Sequence, residues 1–199
     1  MAAMRLFAEQ GFARTSTREI ALAAGANVAA ISYYFGDKAG IYRAALTDLI
    51  PPPEQNIELF DQPHFTLREM LEGFYTQMLA PLAEGELAVL CMRMWMREMV
   101  EPTGMWTREI EVGIKPEHMA LVRVLARYLG VTPDEETHRL AYSVAGLALQ
   151  LMLVRDVIGS ITPQLLNAPD AIAQWTTRLA DYAEAMILAE QKKLREGKL

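Results

Sequence analysis

Between residues 15 and 38 the chain gathers short hydroxyl, amide and small apolar side chains at spacings that suit a phosphate backbone and the edges of base pairs. Ser16 and Thr17 stand where a helix is expected to begin, and the amides and hydroxyls of a helix N-terminus suit a phosphate. A second short helix is expected to open at Asn27, which reads first as a cap and second as a base reader. Its outward face carries Val28, Ala29, Ser32 and Tyr33, with Ala30 at the edge. Small residues let a helix approach base edges closely, Ala or Val meets thymine methyls, and Ser32 donates or accepts a hydrogen bond. Tyr33 and Tyr34 offer hydroxyls to phosphates, Tyr34 also reading as a packing residue. Lys38 adds a phosphate-directed charge. Ile31 and Phe35, four apart, share the opposite face with Tyr34 beside them, and that face is expected to point inward.

Such side chains act only if rigid elements hold them. The apolar periodicity is helical nearly throughout, with no run of period-two alternation. Helix 1 is expected over about Ala2 to Gln10, stopped by Gly11. Helix 2 starts near Ser16, where Ser16-x-x-Glu19 has the form of a capping box, and Gly25 closes it. Helix 3 runs from the Asn27 cap to about Phe35, and helix 4 from after Gly36-Asp37 to about Ile50. Three short helices and a fourth, with a glycine between the second and third, describe a helix-turn-helix.

Pro51-Pro52-Pro53 cannot continue a helix and favours an extended spacer, which divides the chain into 1–50 and 51–199. Beyond it, Thr66-x-x-Glu69 opens a helix to about Leu79, and Gly85 precedes one to about Glu101. Shorter helices are expected over Gly104–Gly113 and Pro116–Tyr128. Thr132-Pro133-Asp134-Glu135 reads as a cap with Pro at the first helical position, opening a helix to about Ile158. A final helix spans about Pro169 to Arg195. The fold class is all-α, about nine helices in all.

The string Thr15-Ser-Thr-Arg-Glu-Ile-Ala-Leu-Ala-Ala-Gly-Ala-Asn-Val-Ala-Ala-Ile-Ser-Tyr-Tyr-Phe-Gly-Asp-Lys38, preceded by Leu6-Phe-Ala-Glu-Gln-Gly-Phe12, closely resembles the DNA-binding domain of TetR-family transcriptional regulators. Ile20-Ala21, Ala24-Gly25, Ile31 to Phe35 and Lys38 stand at the family's positions. The variant Asn27 to Gly36 resembles the CecR-like branch, as does Arg97-Glu98-Met-Val-Glu-Pro102-Thr103. The resemblance implies a repressor-like regulator that binds a palindromic double-stranded DNA operator as a homodimer. It carries over Arg18 as the one long side chain able to fork onto a guanine. Members of the family carry a longer helix 1, often with added basic charge, so helix 1 is expected to be short here.

The resemblance also implies a central effector-binding domain. Methionine is flexible and polarizable and suits an adaptable cavity, so Met92, Trp95, Met96, Met99 and Trp106, with Met152, are the candidate effector contacts. The same residues also read as ordinary core. Arg93, Arg97 and Arg155 suit an anionic ligand or ion pairs, and Arg97-Glu98 reads equally as a structural pair. Small residues along the penultimate helix, and the stripe Ile172, Trp175, Leu179, Tyr182 and Met186 on the last, imply a four-helix dimer contact by resemblance.

Composition bounds the alternatives. The chain has 199 residues and a formal net charge of −6, an acidic balance that by itself argues against a nucleic-acid binder. Residues 1–50, however, hold five Lys/Arg against four acids, and the remaining 149 hold 14 against 21. The acidity therefore lies outside the helix-turn-helix. One cysteine, Cys91, excludes an internal disulfide and suits a reducing cytoplasmic setting. His64, His118 and His138 are too scattered in sequence for a metal signature, and no cofactor is expected. No signal peptide or spanning segment is read, Leu140 to Val154 being better taken as a buried helix. No Ser-His-Asp set, Cys-His pair or phosphate loop is recognisable, which makes an enzyme using the central cavity a remote alternative. A helical scaffold with a degenerate DNA-binding domain is the nearer one.

Overall fold

A computed structural model describes residues 1–47, 51–83 and 85–197, and all regular structure among them is helical. The chain packs as two compact units, Met1–Pro51 with Glu84–Glu109, and Pro52–Ala83 with Ile110–Leu199.

The first unit holds α1 (Ala2–Arg14), α2 (Thr17–Ala24), α3 (Val28–Phe35) and α4 (Lys38–Thr47), with α7 (Glu86–Val100) and the three-residue α8 (Thr107–Glu109). The expected end of helix 4 at Ile50 lies outside the described residues. Gly11 breaks α1, as its position foretold, by taking φ +80° and ψ 169° within the helical span. A ring cluster fills the centre of this unit: Phe7 and Phe12 both meet Tyr42, at 4.8 and 5.1 Å between centroids. Such edge contacts add about 0.5–1.5 kcal/mol each beyond area burial.

The packing differs from a division at residue 50, because α7 lies against α1 and α4 rather than with the later helices. Its buried side is specified by polar as well as apolar groups. Trp95 Nε1 donates to the Leu46 carbonyl at 3.3 Å, and the Trp95 and Trp106 rings meet edge-on at 4.4 Å.

The second unit holds α5 (Pro53–Glu58), α6 (Leu67–Ala83), α9 (Lys115–Leu129), α10 (Glu135–Leu153), α11 (Arg155–Ile161), α12 (Gln164–Asn167) and α13 (Ala171–Arg195), with a π-helical turn at Ile110–Ile114 leading into α9. The segments exceed the expected nine for physical reasons. The proline run ends in a helix, since Pro53 occupies a first-turn position where its missing N–H costs nothing. The helix expected to reach Ile158 breaks at Val154 (φ −101°, ψ 15°), and α12 follows Pro163. The cap of α10 is Asp134 rather than Thr132: Asp134 Oδ1 accepts from the Thr137 amide at 2.9 Å, and Thr137 Oγ1 accepts from the Asp134 amide at 2.7 Å.

The core of this unit runs through Phe60, Leu71, Phe74, Leu79, Leu121, Leu125, Val144, Leu151, Leu179 and Ile187. Arg68 ties α6 to α13, bonding Asp181 at 2.6 Å and Glu72 at 2.6 Å. Because α6 covers α13, much of the apolar stripe expected for an interface faces the unit's own core. Leu179 is fully buried, Ile172, Trp175 and Met186 are half-buried, and Tyr182 is left exposed. Among the described residues no single helix is long and apolar enough to cross a membrane; α10 and α11 are so only taken together, across a 59° bend.

Candidate nucleic-acid interface

The two helices that carry the candidate contacts are each fixed by their own caps. Ser16 precedes α2 in a complete capping box: its Oγ accepts from the Glu19 amide at 3.1 Å, while Glu19 Oε2 accepts from the Ser16 amide at 2.8 Å. The bond Glu19 accepts from the Ser16 hydroxyl, and then the one from the Ser16 amide, hold its carboxyl below its usual range, so it stays ionised at neutral pH. The Ser16 hydroxyl also donates to Glu19, at 2.7 Å, and so belongs to the box. Beside the box, Thr17 is half-buried and the Arg18 side chain is exposed.

Gly25 turns the chain in the left-handed region (φ 62°), and Asn27 Oδ1 accepts from the Ala29 amide at 2.8 Å to start α3. Asn27 thus acts as the cap of the second helix. Asp37 starts α4 in the same way, its Oδ1 accepting from the Gly40 amide at 2.8 Å. A Cβ on Gly40 would lie 1.8 Å from the Phe35 carbonyl oxygen, so only glycine lets α3 and α4 approach this closely.

Of α3 only Ile31 is buried. Val28, Ala29, Ala30, Ser32 and Tyr33 are all exposed, Tyr33 at 83%, and they form one uninterrupted outward surface. The inward face is smaller than expected. Phe35 is 44% and Tyr34 77% exposed, with Met1, Ala2 and Ala3 on that flank. An apolar cavity of about 340 Å³ remains there, lined by Ile20, Ala30, Ile31, Tyr34, Phe35 and Ile41 among others.

Lys38, expected at a phosphate, makes an internal tie in this structure. Its Nζ donates to the carbonyls of Phe12 (2.9 Å), Thr15 (3.0 Å) and, more weakly, Ala13 (3.4 Å), and sits 4.3 Å above the Phe12 ring. An ammonium has three donors, and all three are engaged. The carbonyls that end α1 carry the negative end of its dipole, so the cation is at home there. The sequence held a signal for this: a lysine at the first position of a helix opposes that helix's own dipole unless it serves a neighbour.

The candidate effector residues divide between the units. Met92 and Trp106 are buried, Trp95 and Met96 half-buried, and Met99 44% exposed, all in the first unit; Met152, half-buried on α10, belongs to the second. Arg97 packs its guanidinium over Gly11 and pairs with Glu101 at 3.5 Å. Cys91 is buried, and that burial pushes its thiol up to about 11. His118 and His138, twenty residues apart, meet at 2.9 Å between ring nitrogens; among the described residues no third ligand makes a metal group.

Two family descriptions match the chain. Residues 1–45 match bacterial regulatory proteins of the tetR family, and residues 67–189 match the C-terminal domain of the HTH-type transcriptional dual regulator CecR. The chain belongs to the TetR family, in its CecR-like branch. It is 34% identical over 145 residues to the HTH-type transcriptional dual regulator CecR of Shigella flexneri. That match covers 67% of this chain and 64% of the relative, so the chain spans somewhat less than two thirds of the relative's length. In fold it is similar to a protein of Pseudomonas aeruginosa PAO1 solved as a candidate transcriptional regulator (TM-score 0.67, 18% identity, 96% of this chain and 89% of that one). It is also similar to SmeT in complex with triclosan (TM-score 0.63, 20% identity, 95% and 87%).

Proposed function

We propose that this chain is a DNA-binding transcription regulator that inserts α3 into the major groove. The observation that carries the reading is a doubly capped α2–turn–α3 in which every residue of α3 except Ile31 is exposed. A helix held by its caps and one core side chain has no packing reason to keep its other faces free; a groove-reading helix has one. Thr17 and Arg18 approach the backbone and a guanine edge, Val28, Ala29 and Ser32 meet base edges, and Tyr33 reaches a phosphate. Ser16 and Asn27 contribute by holding the helix starts. With so few long polar side chains on the surface, much of the selectivity comes from DNA shape.

Regulators of this family work as dimers on two half-sites, and the exposed Tyr142 and Leu153 of α10 and Tyr182 and Leu188 of α13 support a homodimer through those helices. The half-buried Trp95 and Met96, with Met92, Met99 and Trp106 of the same unit, support an effector-responsive repressor, flexible thioether side chains being suited to apolar small molecules. Action on chromosomal DNA puts it in the cytoplasm. The relatives are regulators rather than enzymes, and the role proposed here needs no cofactor.

Selection of duplexes from random sequence by the purified protein tests the reading. Enrichment of an inverted repeat, with affinity falling linearly on a log–log salt plot, is the expected result. No enriched sequence and no mobility shift at low salt with dimeric protein would overturn it.

A further inference from the structure

Where α7 ends, a buried carboxylate joins it to α4. Glu98 is 1% exposed, and both its oxygens are occupied by neutral donors. Oε1 accepts from the Tyr42 hydroxyl at 2.7 Å and from Thr103 Oγ1 at 2.7 Å, and Oε2 accepts from the Thr103 amide at 3.1 Å. Burial, and then the bond to Glu98, push the Tyr42 hydroxyl well above its ordinary range, so it remains a donor at every working pH.

A buried carboxylate is a costly way to join two helices. Apolar side chains of similar volume often serve at least as well for stability, while a buried carboxyl must also meet its hydrogen-bond donors, here three of them. Tyr42 is also the ring on which Phe7 and Phe12 pack, so the bond fixes α1 as well as α4. The neighbouring Arg97 lies over Gly11, at the break in α1, where a Cβ would come within 2.9 Å of its Nη1. Two consecutive residues of α7 therefore grip the two helices on which α2 and α3 are mounted.

We infer that Glu98 is a positioning residue for DNA binding: through Tyr42 it sets the angle at which the helix-turn-helix stands on α7. The inference rests on the DNA-binding reading above and names the joint through which any displacement of α7 reaches α3. Thr103 belongs to the joint because it presents the carboxylate to Tyr42.

Tyr42→Phe removes the single hydroxyl–carboxylate bond and leaves the ring cluster in place. Spin labels at Leu22→Cys on α2 and Val100→Cys on α7, both exposed positions, in a Cys91→Ala background diluted with unlabelled protein, report the angle directly. The narrow label-to-label distance distribution of the parent broadens in Tyr42→Phe. Affinity of the unlabelled variant for a duplex selected by the parent falls about tenfold, the scale of one such bond. Leu71→Ala, a core truncation in the second unit, controls for lost stability and leaves the distance distribution unchanged. In the double-mutant cycle of Tyr42→Phe with Glu98→Gln, the losses of affinity are less than additive. An unchanged distribution in Tyr42→Phe overturns the inference, and so does a broadened one with unchanged affinity. Failure to select any duplex counts against the DNA-binding reading alone, since the distance measurement needs no DNA.

Discussion

Replacing Lys38 by methionine separates the two roles a lysine at this position can have. The side-chain length is kept and the ammonium is removed, so the carbonyls of Phe12, Ala13 and Thr15 lose their donor. Hydrogen bonds from a charged donor contribute about 1.5–3 kcal/mol each, and neighbouring ones do not add fully. The cation over the Phe12 ring contributes about 0.5–1 kcal/mol more. The Ala13 bond is long and Lys38 is only half-buried, so water recovers part of the loss. A destabilisation of about 2–3 kcal/mol is expected for the first unit. The assay is denaturant unfolding followed by fluorescence of the Trp95–Trp106 pair in a Trp175→Phe background, which confines the signal to that unit. Operator affinity is then measured across salt concentrations where the variant is folded. A phosphate-neutralising lysine contributes about 0.9 to the log–log salt slope, whereas an internal tie contributes none. The expected outcome is a lowered unfolding midpoint with an unchanged salt slope. Unfolding indistinguishable from the parent, with a slope reduced by about one, would refute the internal role.

Arg18→Ala is expected to relax sequence preference at one base pair by about 1–3 kcal/mol with unaltered unfolding, which competition between single-base operator variants measures. Gly40→Ala forces α3 from α4, since its Cβ meets a backbone carbonyl at 1.8 Å; loss of operator binding together with a lowered midpoint of the first unit is expected, and a folded, fully active variant would contradict the close approach. His118 is held below its ordinary pKa by burial and then by the charge of His138, so the folded state resists the proton that the unfolded chain accepts. Its contribution is complete above pH about 6.5 and is lost as the pH falls through the depressed folded value. The stability difference between the parent and His118→Asn should therefore shrink as the pH is lowered from 7.5 to 5.5, as measured by urea unfolding.

The helix-turn-helix was legible because its signals are local. A capping box needs only Ser16 and Glu19, a cap only Asn27, and the turn only Gly25, and none depends on what packs nearby. What was not legible depended on partners distant in the chain. Phe35 and Tyr34 have the spacing of an inward face, but burial needs a surface to meet, and spacing along one helix does not say whether another element supplies it. The stripe on α13 was read correctly as apolar, yet the sequence does not say that α6 rather than a second chain covers much of it. His118 and His138 are scattered in sequence and adjacent in space for the same reason.

Lys38 and Glu98 are the instructive pair. Each is a charged residue in a place that a charge normally avoids, a cation at a helix N-terminus and a carboxylate in a core. Each is satisfied by neutral groups, Lys38 by the carbonyls that end α1 and Glu98 by Tyr42 of α4 and by Thr103 in the loop that follows α7. Both therefore have their donors and acceptors committed inside the unit. Residues 1–50 carry only a thin positive balance, five Lys/Arg against four acids. Long-range attraction contributes little to a domain so nearly neutral, and binding must rest on the close fit of Val28, Ala29, Ser32 and Tyr33 to the groove. A fit of that kind depends on angle, and Lys38 and Glu98 act on that angle through α4 at positions one turn apart, Lys38 itself and Tyr42.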